Sequence, residues 1–509
     1  MAHVNYIHNI PFISIFLTMF GGIITPLFSN GKIAQKINLI IVCIVGVLSA
    51  ILLGSVWQNK ESFTFMMGHF PAPWGNEIRA GVLEAGMALF FCMIMLLSLI
   101  GGQEHLNQEV EDTKINLYYI MVNLLLSSLL ALIYTNDLFT AYVFVEINTI
   151  SACGLIMITQ SGRTIEAATR YMIMASLGSG LLLMGLCVLY DITGHLLMSN
   201  MKESIAYVYA QGTYNIPLIA SIGMVVVGLA IKSALYPFHT WLPDAYGYST
   251  VSSAAILSSL VSKGYIFLLI KIFFRVVGFE IIVNTRIVNI LFVFGLLGMI
   301  MGSINAILEN DIRRMIAFSS VAQIGYIYMG FGLGTTMGIV ASIFHILSHA
   351  STKSLLFVAG AGLTDASGES RKFADLTGSG FRNPMAGVAF SIGACSMVGI
   401  PLFSGFISKM QFAEAAVQNS LQKMLPTLIC LAVSTVLNAI YFMKTVIRIY
   451  TPVSKNMKKT QAGEAAMIGI KEHPLYNTAL ILMILLNVVL GCCSQPIVDW
   501  ITDGLAMFG

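Results

Sequence analysis

Charge is what this sequence has least of. Asp, Glu, Lys and Arg make up 10% of its 509 residues, against 57% hydrophobic residues. Soluble domains carry about 25% charged residues. A surface this poor in charge could not keep a chain of this length dispersed in water. That excludes a soluble cytoplasmic enzyme, a disordered scaffold and a nucleic-acid binder. The net charge of +3 is also too small to call for a polyanionic partner. Clustered cysteine is missing as well. Cys43, Cys92, Cys153, Cys187, Cys395 and Cys430 stand alone in apolar runs, Cys492 and Cys493 adjoin, and no CxxC occurs. Iron–sulfur clusters and structural zinc usually need grouped thiolates, so neither is expected, nor is a disulfide framework. The cysteines read as small buried hydrophobes. With no haem CxxCH and no nucleotide fingerprint, the chain is expected to carry no cofactor of its own. The start has no basic n-region and no small-residue cleavage site, so the apolar run over 10–28 reads as a retained span.

What is present is a succession of long apolar runs. A helix needs about 20 apolar residues to cross the hydrocarbon core, and about fourteen such segments can be placed. They centre near Phe20, Ile44, Phe90, Leu125, Ile150, Leu181 and Val226, then Leu260, Phe294, Ile324, Leu347, Ala394, Leu431 and Leu485. The connections over 101–114, 191–215, 364–383 and 451–473 are polar but too short for an extramembrane domain. The expected fold class is therefore all-α: a single polytopic transmembrane domain over 1–509. Lys and Arg concentrate in the loops after odd-numbered helices, among them Lys32, Lys36, Arg163, Arg170, Arg313, Arg314, Arg371, Lys372, Arg382, Lys455, Lys458 and Lys459. The positive-inside rule then puts both termini on the non-cytoplasmic side of the cell membrane. An even helix count requires them to share a side, which agrees.

Ionisable residues within the spans need a reason, because a Lys or Asp at mid-bilayer costs about 2.5–3.5 kcal/mol on insertion scales. Snorkelling or a structural ion pair explains any one of them, but not the set. Glu146 lies in the fifth helix, nine residues or about 13 Å past Asp137. Lys232 lies in the seventh, Lys263 in the eighth and Lys409 in the twelfth. In the eleventh, His345, His349 and Lys353 recur every four residues and share a face. Two His at that spacing can hold a metal. Here HExxH is absent, no third ligand is evident, and a Lys one turn on would repel a cation, so no metal is expected. Groups that can titrate once desolvated, set along several helices, suit a proton path better.

Two helices are also interrupted by proline. Pro237 and Pro243 flank the end of the seventh helix, and Pro401 interrupts the twelfth. A mid-helix proline frees a backbone carbonyl. In a membrane such a break survives only where protein or water satisfies the freed groups. A packing kink is the plainer explanation. Yet each break lies close in sequence to an intramembrane Lys, in two halves of one chain, which is the pointer for an inverted-repeat transporter. By contrast, Gly178-Ser-Gly180 and Gly332-Leu-Gly334 are read as packing surfaces, not nucleotide loops, and the 29 methionines as lipid-facing or core filler.

Taken together, Asp137–Glu146, Lys232 through Asp244, Lys263, the run from Arg313 to Gly325, His345–Lys353 and Gly399–Lys409 are specific. The chain resembles, over nearly its whole length, the antiporter-like proton-translocating subunits shared by respiratory complex I, Mrp-type Na⁺/H⁺ antiporters (their D-type subunit) and membrane-bound hydrogenases. The resemblance implies fourteen helices, two inverted five-helix repeats over 115–275 and 285–450, and broken seventh and twelfth helices. It implies Glu146 and Lys232 as a switching pair, Lys263 with His345, His349 and Lys353 as relay, and Lys409 as the exit-side Lys. It further implies other membrane subunits as partners, with H⁺ as cargo and Na⁺ as a second candidate, and a hydrogenase or ferredoxin- or NADH-oxidising module in the redox branch. Lys409 and Gln323 resemble the Mrp or hydrogenase branch, where one complex I homologue has Glu and many have His. Asn148 and Thr149 depart from a stretch that is usually more apolar.

The function expected is thus an ion-translocating subunit of a larger complex, with catalysis, if any, residing in partner subunits. The alternative is a stand-alone secondary solute transporter, which calls for a polar substrate pocket at the helix breaks. A redox or quinone enzyme in its own right is a third reading, disfavoured by the missing cofactor motifs.

Overall fold

Helix starts in this chain are marked by short polar side chains that accept the first free amides. In our computed structural model, which describes residues 6–28, 31–67, 70, 75–452 and 473–508, they sit where the apolar runs begin. Asp137 accepts from Thr140 N at 2.6 Å, Ser161 from Thr164 N at 3.3 Å, and Thr335 from Gly338 N at 3.1 Å. Asp311 accepts from the amides of Arg313 and Arg314 at 2.8 and 3.1 Å.

The helices are α1 (Ile10–Ile24), α2 (Gly31–Asn59), α3 (Val82–Gly101), α4 (Gln103–Glu109), α5 (Asp112–Tyr134), α6 (Leu138–Met157), α7 (Gly162–Thr193) and α8 (Met198–Gln211). Next come α9 (Asn215–Lys232), α10 (Leu242–Tyr248), α11 (Val251–Ile256), α12 (Ser262–Lys271), α13 (Phe279–Asn284), α14 (Ile287–Leu308) and α15 (Ile312–Gly332). The last are α16 (Thr336–Asp365), α17 (Ser379–Arg382), α18 (Pro384–Val398), α19 (Ser404–Val417), α20 (Leu421–Ile449), α21 (Pro474–Cys492) and α22 (Ser494–Ala506). Among the described residues, 12 helical stretches are long and apolar enough to cross a membrane. The chain is a helical, multi-pass membrane protein. Every expected centre falls inside a helix. The two centres outside those stretches are in α16, which is long but more polar, and in α18, which is apolar but short.

One departure from an all-helical chain is a hairpin of two short antiparallel strands, β1 (Phe63–Met66) and β2 (Glu77–Ala80), paired Phe63 to Ala80. Another concerns cysteine. Cys43, Cys187, Cys492 and Cys493 are exposed, and only Cys92 is buried. The expectation of burial fails because the outer surface of a bilayer protein is itself apolar, so a small apolar side chain gains little by turning inward.

Contacts between loops sort the molecule into two faces. On one, Asp244 pairs with both Arg170 and Arg314, Glu109 with Arg313 at 3.3 Å, and Arg371 donates to Gly247 O at 3.0 Å. Arg371 lies in the loop after α16, where burial, reinforced by Arg313, lowers its guanidinium to about 10. On the other face, Ile78 of β2 bridges to Thr135 and Asp137 to Leu197, while α22 docks on the start of α3 through Trp500 Nε1 and Val82 O at 3.1 Å. The basic residues named from the sequence up to Arg382 gather on the first face. Lys455, Lys458 and Lys459 lie outside the described residues.

Candidate functional site

The break in the seventh span begins where α9 ends, at Lys232 itself, and runs through Pro237 to α10. The Lys232 side chain is buried and its Nζ donates to Thr149 Oγ1 at 2.7 Å. The nearer Glu146 oxygen stands at 3.6 Å. Below the ammonium lies the Tyr265 ring, 5.5 Å from Nζ to centroid. Tyr265 donates to Asn148 Oδ1 at 2.9 Å, and Asn148 Nδ2 to Ser128 Oγ at 2.9 Å. Close approach of α7 makes this possible. A Cβ added at Gly178 would meet Gly228 O at 2.8 Å and Lys232 Cγ at 3.1 Å. Lys232 is enclosed, whereas about a third of the Glu146 side chain (34%) is exposed on the outside of the chain. Glu146 therefore straddles the protein's rim, part of it facing outward while Oε1, the oxygen towards Lys232, is buried.

Lys263 is completely buried, and its Nζ donates to Ser258 O. Ser258 belongs to a π-helical turn, Leu257–Val261, between α11 and α12. Such a bulge loosens the regular ladder and lets a side chain reach a carbonyl. Lys353 is equally buried and donates to Ile316 O at 2.7 Å and to Ser319 Oγ. Between them on α16 stand the two imidazoles. His345 and His349 stack with centroids 5.9 Å apart, and both His349 nitrogens lack a hydrogen-bond partner. His349 lies within electrostatic range of both Lys263 and Lys353. His345 Nδ1 meets Ser408 Oγ at 2.6 Å, and its ring stacks on Tyr326 at 5.4 Å.

The second break joins α18 to α19 across 399–403. Lys409 Nζ donates to Val398 O, the end of α18, at 2.6 Å, and to Thr435 Oγ1 at 3.0 Å. A cation at a helix C-terminus is favoured by the dipole. Tyr326 lies 5.9 Å below it, so one ring touches both His345 and Lys409. Lys409 is partly exposed rather than fully buried. The structure thus joins Glu146 to Lys232, His345 to His349, and His345 to Lys409 through Tyr326. Lys263 and Lys353 bond only neutral acceptors. Among the described residues no three His, Cys, Asp or Glu are placed to hold a metal. His345 and His349 lie parallel and do not converge on a point.

Sequence reasoning missed a second buried cluster. Lys271 Nζ takes Leu132 O at 3.1 Å, Ile133 O at 2.9 Å and Thr135 O, closing the end of α5. Arg275 pairs with Glu84 at 3.6 Å and bonds Asn136. The signal was available: Lys271 and Arg275 are one turn apart, two and three turns beyond Lys263. Thr149 and Tyr265 were also missed as supports of Lys232.

A family profile described as NADH:quinone oxidoreductase/Mrp antiporter, TM, matches residues 135–437. The chain is 28% identical over 444 residues to the N-type subunit of NADH-quinone oxidoreductase from Desulforudis audaxviator, covering 87% of this chain and 86% of that one. It is 25% identical over 499 residues to the D-type Na(+)/H(+) antiporter subunit of Alkalihalophilus pseudofirmus, covering 97% and 96%. A chain in the solved Mrp complex from Dietzia sp. DQ12-45-1b superposes with TM-score 0.85 at 20% identity, covering 99% and 97%.

Proposed function

This chain belongs to the NADH:quinone oxidoreductase/Mrp antiporter transmembrane family, and we propose on that premise that it is a proton-conducting subunit of a multisubunit membrane complex. H⁺ moves along Glu146, Lys232, Lys263, the face of His345, His349 and Lys353, and Lys409, coupled to Na⁺/H⁺ antiport or to a redox partner module. The observation that carries this reading is the Lys232 ammonium, buried between Thr149 at 2.7 Å and Glu146 at 3.6 Å. It is held by a neutral hydroxyl while its carboxylate stands slightly off.

The partners of the lysines explain why protons can leave them. Lys263, Lys353 and Lys409 bond carbonyls and hydroxyls, not carboxylates. Neutral acceptors compensate a buried charge less fully than an anion does. Without an anion beside it, each of these ammonium groups is held less firmly than an ion-paired one, as a relay requires. At Lys232 the carboxylate is the control. With Glu146 close, the ammonium is retained. Drawn outward, Glu146 leaves the ammonium uncompensated in a low-dielectric interior, and the proton passes on. Glu146 is partly exposed on the outer surface, where a neighbouring subunit would reach it. Moving one charge against 100 mV takes about 2.3 kcal/mol, within the range that one buried ion pair governs.

Two five-helix repeats, 115–275 and 285–450, each hold one broken helix with a Lys at the break, Lys232 and Lys409. The face bearing Arg163, Arg170, Arg313, Arg314 and Arg371 is assigned to the cytoplasm of a cell membrane, with both termini opposite. A stand-alone solute transporter needs a substrate pocket at the breaks. Here the chain's own Lys409 occupies the freed carbonyl of Val398, which favours the relay.

The test is Lys232→Ala in the fully assembled complex, with transport read in sealed vesicles. Proton translocation is expected to fall to background while the complex stays assembled. Unchanged translocation would falsify the relay. Cofactor absorbance in the complex purified with its partners assigns the redox coupling; its absence with Na⁺-dependent H⁺ efflux assigns antiport.

A further inference from the structure

Glu104, His105, Asp365, Glu369 and His473 line a cavity of about 210 Å³ on the face that carries the basic loops. None of them belongs to the relay above. His105 Nε2 meets Asp365 Oδ2 at 2.7 Å, and His473 Nδ1 meets Glu104 Oε2 at 2.5 Å. His105 is buried, only 6% exposed, and its Nδ1 has no hydrogen-bond partner. The Tyr476 ring, also in the wall, lies 6.0 Å from the imidazole, and its hydroxyl donates to Val358 O at 3.0 Å.

From there polar side chains continue inward between α16 and α21. One turn before Val358, Ser354 Oγ lies 2.8 Å from Ser98 Oγ and 3.6 Å from Met483 Sδ. One turn beyond Met483, Asn487 Nδ2 donates to Thr352 Oγ1 at 2.6 Å, while its buried Oδ1 is unpartnered. Thr352 Oγ1 donates to Ser348 O at 2.8 Å and also stands 3.4 Å from Ser396 Oγ, Ser396 Oγ is 3.4 Å from Ser404 Oγ, and Ser348 donates to Ser404 at 2.8 Å. One turn after Ser404 is Ser408, which touches His345 Nδ1 at 2.6 Å. From Asn487 to His345 every one of these side chains is buried. Hydroxyls inside membrane helices commonly bond only their own backbone or glue two helices together. These cross four helices in a line that ends on a titratable ring at one end and a titratable cavity at the other.

We propose that the cavity is a proton-collecting mouth and that the Asn487–Thr352–Ser396–Ser404–Ser408 ladder is a second branch delivering H⁺ to His345. This rests on the relay reading and adds a second entrance to it, with the Lys232 switch still required for onward transfer from either entrance, so Lys232→Ala stops both. The carboxylates and imidazoles take protons from buffer molecules and hydronium at the surface. Asn487 does not carry the proton itself: its free Oδ1 positions the water that hands H⁺ to Thr352. From Thr352 on, each hydroxyl accepts a proton on a lone pair as it gives its own to the next, and rotation about its C–O bond resets it. Three gaps, Tyr476 to Ser354, Ser354 to Asn487 and Ser404 to Ser408, each span about one helical turn or 5.4 Å, which one water bridges; Asn487 Oδ1 is the free acceptor for the second.

The experiment uses the complete complex in sealed vesicles with this face outward, in weakly buffered medium. The double variant His105→Gln/Asp365→Asn is expected to take up protons about fivefold more slowly, the scale of one lost hydrogen bond, and to recover when imidazole buffer is raised. Thr352→Val and Asn487→Leu are expected to be slowed similarly with no recovery in imidazole, while Thr352→Ser keeps the wild-type rate. A structural role alone would not respond to a mobile buffer. Full rates in Thr352→Val and Asn487→Leu, or a double variant insensitive to imidazole, overturn the branch. If Lys232→Ala is inactive in the same vesicles, only the branch falls; if it pumps normally, the relay falls with it.

Discussion

Thr149 is the residue on which the Lys232 ammonium rests, and it decides how far that charge depends on Glu146. A charge-assisted hydrogen bond of this kind contributes about 1.5–3 kcal/mol. Thr149→Val keeps the shape but removes the acceptor, leaving the carboxylate at 3.6 Å as the main compensation. Proton translocation is expected to drop about tenfold, one pK unit's worth of interaction, while Thr149→Ser retains most of it. Wild-type turnover of the Val variant, with assembly intact, would show that the hydroxyl has no part in holding Lys232. At this scale the sequence was readable where charge stood against an apolar background: Glu146, Lys232, Lys263, Lys353 and Lys409 announce themselves by their cost. Their neutral supports do not. Thr149, Tyr265, Ser258 and Ser408 look like filler in a run of apolar residues, and only the fold brings Thr149 and Tyr265 to the same ammonium. Glu84, Lys271 and Arg275 carry charge and were legible in principle. Their mutual pairing was not, because Glu84 is far away in the chain.

The helix breaks are where local chemistry and position combine. Pro401 and Pro237 signalled interruption. What filled each break was not legible, since a freed carbonyl is closed by whichever donor the packing brings. At the α18–α19 junction that donor is Lys409, and Gly399 lets it in. Gly399 sits at φ +90°, and an added Cβ would meet Lys409 Cδ at 3.0 Å and Nζ at 3.2 Å. Gly399→Ala is therefore expected to destabilise the chain by about 1–2 kcal/mol through its left-handed backbone. It should also push the ammonium off Val398 O, so that transport falls further than the loss of folded complex accounts for. A thermal midpoint measured beside vesicle transport separates the two effects; transport loss that merely tracks unfolding would remove Lys409 from the path. The π-turn beneath Lys263 had no sequence signal at all. Val251–Val277 is the most thoroughly buried span, and such bulges follow from tertiary packing rather than propensity.

Across the whole molecule, the two faces differ in chemistry. One face is tied by Asp244 with Arg170 and Arg314, by Glu109 with Arg313, and by Arg371 on the Gly247 carbonyl. The other carries the β1–β2 hairpin and α22. Basic loops resist translocation, and on that ground the proposed orientation puts the first face in the cytoplasm. Loop charge makes the basic face legible from the sequence; which loops meet each other came only with the fold. The check needs one reporter per face. Gly162 is exposed at the start of α7 with nothing within 4 Å of an added Cβ, and Thr213 is exposed in the turn between α8 and α9. With the exposed Cys43, Cys187, Cys492 and Cys493 replaced by Ser, Gly162→Cys should react with a membrane-impermeant maleimide only from the cytoplasmic side, and Thr213→Cys only from the opposite side. Reversed labelling would invert the assignment. The cavity at His105 and Asp365 would then open away from the cytoplasm, and the hydroxyl ladder would serve as an outlet from His345 instead of an inlet to it.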